Sequence, residues 1–169
     1  RHGETSTLNA IIDQLVDEYC IDPRRIHVMG FSSSAWTAGT FACAASERIA
    51  SFSVGVGSFR PGCEQLRPVP LMAMTGDLDR GTVTRSVELW AEAYECNSEP
   101  IVEDLGSGVT RTAYQGCGAD IVLYDVAGAG HGFVRQGCID NRYDSCFAND
   151  VFDQLREVER FFAEHPLEG

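Results

Sequence analysis

Four short apolar runs, Ile26–Gly30, Ser51–Val56, Pro70–Met74 and Ile121–Val126, alternate with longer stretches of helical periodicity. Runs this brief and this continuously apolar read as strands buried on both faces, the state parallel strands reach when helices cover a sheet. Leu8, Ile11, Ile12, Leu15, Val16 and Tyr19 keep the i, i+3, i+4, i+7 spacing and predict a helix over 6–19, ended by Asp22-Pro23. A second helix is predicted over 34–48, a third is marked by Val83, Val87, Trp90 and Tyr94, and a closing one by Val151, Leu155, Val158 and Phe162. The alternation predicts an α/β fold with a mostly parallel sheet flanked by helices. Val109–Tyr114, in a Gly- and Thr-rich segment, alternates as an extra edge strand or hairpin arm does. With 169 residues and 44% hydrophobic content, residues 1–169 are read as one domain or part of one.

Charge and cysteine content narrow the partners. The net charge is −12 and all 13 basic residues are arginine, so the chain lacks the basic footprint that neutralises phosphates or holds anionic lipid; neither nucleic acid nor a membrane is expected as a partner. No apolar window has the length of a bilayer span. Cys20, Cys43, Cys63, Cys96, Cys117, Cys138 and Cys146 form no CxxC pair, which favours disulfides in an oxidising compartment, secreted or periplasmic, over zinc or a redox dithiol. Their odd number predicts that one has its partner in sequence outside this chain.

Gly30-Phe31-Ser32-Ser33-Ser34 sits where an apolar strand meets a helix, the context of a nucleophile elbow. Ser32 is the candidate nucleophile, and the Ser33 N–H the candidate oxyanion donor at the helix N-terminus. Three serines that merely cap the helix are the competing reading. Thr75-Gly76-Asp77-Leu78-Asp79 follows the third strand, with Asp77 and Asp79 both open as the acid, and Gly128-Ala129-Gly130-His131-Gly132 follows the fourth. Sites in open α/β sheets assemble beyond the carboxyl ends of strands, and serine, acid, histidine is the chain order of the α/β-hydrolases. A serine hydroxyl is weakly nucleophilic near neutral pH, so His131 would take its proton while the carboxylate orients the ring and stabilises the imidazolium. Trp36 and Phe133 flank these residues in sequence and are candidates for a substrate pocket, though aromatics are more often core. His27 is read as structural, His2 and His165 carry no motif, and Asp140–Asp144 lacks the glycine and glutamate of a calcium loop, so a polar loop is expected there.

Tyr19 to Ser32 resembles the stretch entering the elbow in the polyhydroxybutyrate depolymerase and feruloyl esterase group of secreted α/β-hydrolases. Ala42-Cys43 with Ser46 to Ala50, Arg67 to Leu71, Thr110 to Tyr114, Gly116-Cys117, Val122 to Tyr124, Gly128 to His131 and Phe161 to Pro166 are similar to later parts of that group. The family's acid lies in a His-Gly-x-x-Asp pattern, and Thr75-Gly76-Asp77-Leu78-Asp79 matches it with threonine for histidine, which favours Asp79. Two further departures are Ser34-Ala35 where paired glycines are usual, and Gly132-Phe133 after the histidine. Gly130-His131-Gly132-Phe133 also resembles dienelactone hydrolases of the same fold.

The resemblance implies an α/β-hydrolase catalytic domain without its N-terminal strands, whose partner is the missing N-terminal segment carrying a second oxyanion donor. It implies a carboxylic ester hydrolase working through an acyl-serine, on feruloyl or acetyl polysaccharide esters or a polyhydroxyalkanoate. The alternatives are a dienelactone-hydrolase-like enzyme for small esters, or a non-catalytic carbohydrate-binding or scaffold relative. No metal or organic cofactor is implied. From resemblance and position the expected disulfides are Cys96–Cys117, Cys138–Cys146 and Cys20–Cys43, with Cys63 left for a partner elsewhere.

Overall fold

A computed structural model describes residues 2–62, 67–79, 82–136 and 146–167. In chain order the elements are α1 (His2–Glu18), β1 (His27–Phe31), α2 (Ser33–Ala44), β2 (Ser51–Gly55), β3 (Leu71–Gly76), α3 (Thr82–Ala93), β4 (Ile101–Gly106), β5 (Val109–Tyr114), β6 (Ile121–Val126), β7 (Phe133–Arg135), β8 (Cys146–Ala148) and α4 (Gln154–Glu164), with a short 3-10 turn at Pro23–Arg25. The main sheet has the order β1-β2-β3-β6-β5-β4. β1, β2, β3 and β6 run parallel, and β5 and β4 extend the sheet antiparallel. β2 and β3 are buried along their whole length, as their unbroken apolar sequence requires.

Helices cover both faces. On one side Phe41, Phe52, Phe59, Leu71, Val87 and Trp90 belong to the core under α2 and α3, and Leu8 and Ile12 of α1 pack onto it. On the other side Met72, Met74, Tyr124, Phe152, Val158 and Phe161 form the core beneath α4. The Cys96–Cys117 disulfide expected from the resemblance is present and closes the base of the β4–β5 arm.

Several elements depart from expectation for physical reasons. α2 stops at Ala44 instead of running to Arg48, because a turn from Ala45 swings the fully buried Ile49 into the core, with Ile49 N–H donating to the Ala45 carbonyl at 3.1 Å. α4 starts at Gln154, where the Asp153 carboxylate accepts from the N–H groups of Leu155 and Arg156. Its buried face is Gln154, Val158 and Phe161, whereas Val151 lies outside the helix and Leu155 is exposed. Of the four apolar positions that mark this helix in the sequence, Val158 is buried and Phe162 packs against the same core, whereas Val151 and Leu155 stay outside it. β4, β7 and β8 carry no sequence signal, since β4 is exposed along its length and the other two are three residues each.

The expected Cys20–Cys43 pair is not formed. Cys20 is free and exposed in the loop after α1, while Cys43 is held in a disulfide from within the core. Cys146 is also disulfide-bonded; Cys63, Cys138 and the Asp140–Asp144 loop lie outside the described residues.

Candidate active site

The strand-to-helix turn is built around Ser32, which takes φ 57° and ψ −121° between β1 and α2. A non-glycine residue reaches this region only when its surroundings over-determine it. Here the Ser32 N–H is shared by the carbonyls of Gly55 at 3.0 Å and Val56 at 2.9 Å, at the end of the neighbouring β2. The turn is tight enough that a Cβ on Gly30 would strike the Ser34 carbonyl and come within 2.7 Å of the Ala38 Cβ. Ser34, the departure from glycine, braces this turn, because its Oγ accepts from the Phe31 N–H and donates to the Phe31 carbonyl, both at 2.7 Å. The hydroxyl staples the last strand residue to the first helical turn. Ser32 makes no side-chain cap bond to α2, which removes the helix-capping reading for this serine.

The acid and histidine loops arrive from the carboxyl ends of β3 and β6 and are laced to each other. Asp77 Oδ1 accepts from the Gly128 N–H at 2.6 Å, and the Leu78 N–H donates to the Ala129 carbonyl at 3.1 Å. Gly76 passes so close to the Ala129 backbone that a Cβ would collide with its carbonyl. Asp77 therefore anchors the histidine loop, and Asp79 is the carboxylate that faces the ring: His131 Nδ1 lies 3.1 Å from Asp79 Oδ1, and His131 Nε2 lies 2.7 Å from Ser32 Oγ. The Asp79 side chain is 9% exposed and that of His131 50%, so the carboxylate is sequestered and the imidazole edge is open to a reactant. Beside Asp77, burial first and the Asp77 carboxylate second push the Asp125 carboxyl above the usual range.

Ser33 begins α2, so its N–H is among the first-turn donors that have no acceptor within the helix. Phe133 stacks on Phe31 with ring centroids 4.1 Å apart, and the Phe31 ring stands at 65° to that of His131 at 5.9 Å. Trp36 is 40% exposed on the first turns of α2. Phe31, in sequence no more than a spacer between glycine and serine, thus flanks the histidine. His27 is structural as expected: Nδ1 lies 2.8 Å from Ser51 Oγ and its ring stacks on Phe162 at 4.6 Å. Burial first, then the charges of Arg25 and His165, lower its pKa. His165 bridges the Phe161 carbonyl and the Asp120 carboxylate at the opposite end of the sheet.

Solved structures share this fold. The chain is similar to an acetyl xylan esterase from Aspergillus awamori, with TM-score 0.62 and 15% identity over 75% of this chain and 61% of that one. It is similar to a SOBER1 variant from Arabidopsis thaliana, with TM-score 0.56 and 16% identity over 95% and 62% of the two chains. It is also similar to a PHB depolymerase variant complexed with an R3HB trimer, with TM-score 0.57 and 15% identity over 84% and 52%. The fold is that of the α/β-hydrolases. At these identities the likeness speaks for the α/β-hydrolase fold alone, and the chain spans less than two thirds of the length of each of these neighbours. No protein-family model and no curated protein sequence matches the chain.

Proposed function

We propose that this chain carries the catalytic centre of a serine-dependent carboxylic ester hydrolase that works outside the cytoplasm. The observation that supports this most strongly is the continuous relay from Asp79 through His131 to Ser32, at 3.1 and 2.7 Å. In this reading His131 Nε2 accepts the Ser32 proton as Oγ attacks the ester carbonyl, and Asp79 holds the ring and stabilises the imidazolium. The tetrahedral oxyanion forms near the N-terminus of α2, where the Ser33 N–H donates to it. His131 then returns the proton to the leaving alcohol, and water attacks the acyl-Ser32 by the same route in reverse. A carbohydrate-binding or scaffold domain has no use for such a relay.

The substrates that fit are acetyl or feruloyl esters of polysaccharides and polyhydroxyalkanoate esters, in keeping with the resemblance and with the names of two structural neighbours. The Phe31–Phe133 stack, with Trp36 nearby in sequence, supplies an apolar flank for an acyl group. Further strands of the same domain, bringing a second oxyanion donor, pair in this reading with the edge of β1 that has no strand neighbour among the described residues. The Cys96–Cys117 disulfide supports an oxidising compartment, and no helix among the described residues is long and apolar enough to cross a membrane.

Hydrolysis of p-nitrophenyl acetate, followed by feruloyl, acetyl-polysaccharide and polyhydroxyalkanoate esters, tests the proposal. Activity on at least one class that disappears in Ser32→Ala is expected. Hydrolysis that is unchanged in Ser32→Ala rejects Ser32, and a folded protein inert to every ester rejects the enzyme.

A further inference from the structure

Gln154 opens α4 and is completely buried, yet neither its Oε1 nor its Nε2 has a hydrogen-bond partner among the described residues. Buried polar groups are as a rule satisfied, and leaving both ends of a carboxamide unpaired destabilises a fold. A methionine of similar length and volume would fill the same space without that penalty, so packing alone does not account for glutamine here.

What the amide touches suggests why it is kept. Nε2 lies against Gly55 so closely that a Cβ on that residue would run into it, and the same point is 3.0 Å from Cδ2 and 3.3 Å from Cε2 of the Phe31 ring. The carboxamide and the ring both border the space that a Cβ on Gly55 would take, which only a glycine leaves open. From Gly55 the path to the nucleophile is one hydrogen bond, since its carbonyl accepts the Ser32 N–H. From Phe31 the path to the base is one ring contact, since its ring flanks His131 and stacks on Phe133. The start of α4 is itself pinned: Asp153 accepts from Leu155 and Arg156 through Oδ1, and from the Gln136 N–H, just after β7, through Oδ2 at 3.3 Å. In a low-dielectric interior an amide dipole acts strongly on its neighbours.

We infer that Gln154 is a positioning residue for the active centre, its buried carboxamide packed against Gly55 at the spot the Phe31 ring also borders, so as to fix Ser32 and His131 relative to each other. The inference rests on the ester-hydrolase reading for its kinetic consequence, but the geometry it claims does not. The test compares wild type with Gln154→Met and, bordering the same spot, Phe31→Leu. Each is followed by thermal melting, by kcat and KM for p-nitrophenyl acetate, and by the nitrogen-15 shifts of the His131 ring. Gln154→Met is expected to melt no lower than wild type, to lose about 10-fold in kcat with KM unchanged, as small misplacements near reacting atoms do, and to shift the His131 ring signals. Phe31→Leu is expected to change the same signals, and the two losses not to add when combined. Wild-type kcat and ring shifts in Gln154→Met would overturn the inference; if that variant does not fold, the same result in Phe31→Leu would do so. A wild type that hydrolyses no ester defeats the esterase reading, and the ring shifts then decide the role of Gln154 by themselves.

Discussion

Ser32 combines a left-handed φ of 57° with a backbone N–H clamped by two carbonyls and an Oγ 2.7 Å from an imidazole nitrogen. Strain of this kind persists where neighbouring groups enforce it, and Ser34 is one of them through its paired bonds to Phe31. Ser34→Ala removes both, and we expect it to lower stability by about 1–2 kcal/mol in chemical denaturation. The two aspartates differ more sharply. Asp79→Asn should reduce kcat by about 10⁴-fold with the fold intact, as loss of the orienting carboxylate does in such relays, whereas Asp77→Asn, which loosens only the Gly128 anchor, should cost far less; steady-state kinetics on both variants separates them. At His27 burial lowers the pKa below 6.5 in the folded state. The unfolded chain therefore binds the proton first, so this residue takes nothing from stability above pH 6.5 and draws it down as pH falls from there towards the folded value. His27→Gln should flatten the decline of the melting temperature between about pH 7 and 5, read by melts across that range.

At the scale of elements, the strands are legible in the sequence because each parallel strand is a short apolar run with no competing periodicity. The helix ends are less so: α2 is curtailed by the burial of Ile49, a tertiary effect with no local mark, and α4 buries a glutamine where the apolar spacing points to Val151 and Leu155. Serine, aspartate and histidine can be named from the sequence because each follows a strand end. Phe31 and Gln154 cannot, since an aromatic beside the elbow and a glutamine at a helix start carry no motif. The choice between Asp77 and Asp79 needs either the resemblance or the geometry, as both occupy the same turn. The disulfide at the base of the β4–β5 arm spans 21 residues, and replacing Cys96 and Cys117 by serine should destabilise the protein by about 3 kcal/mol, measured by denaturant titration of the oxidised wild type against the variant.

Across the whole molecule, the sheet ends on one side in β1, the strand that delivers Ser32, and among the described residues β1 has a strand neighbour on one side only. An open edge of a parallel sheet is a template for further pairing, and Met29 on that strand is 36% exposed. The resemblance implies such an edge, where further strands of the domain would pair. The net charge of −12 opposes association at long range but is screened by salt. Residues 1–169 without such strands are therefore expected to self-associate more as salt rises, and less in Met29→Lys, in sedimentation velocity.

Everything proposed for the site depends on Ser32 being an activated nucleophile. The most direct measurement is the site of reaction with a fluorophosphonate probe, located by mass spectrometry of the labelled peptide. One adduct is predicted, on Ser32, absent in Ser32→Ala and formed far more slowly in His131→Ala. A folded protein that stays unlabelled, or an adduct on Ser33, Ser34 or any other residue, would contradict it.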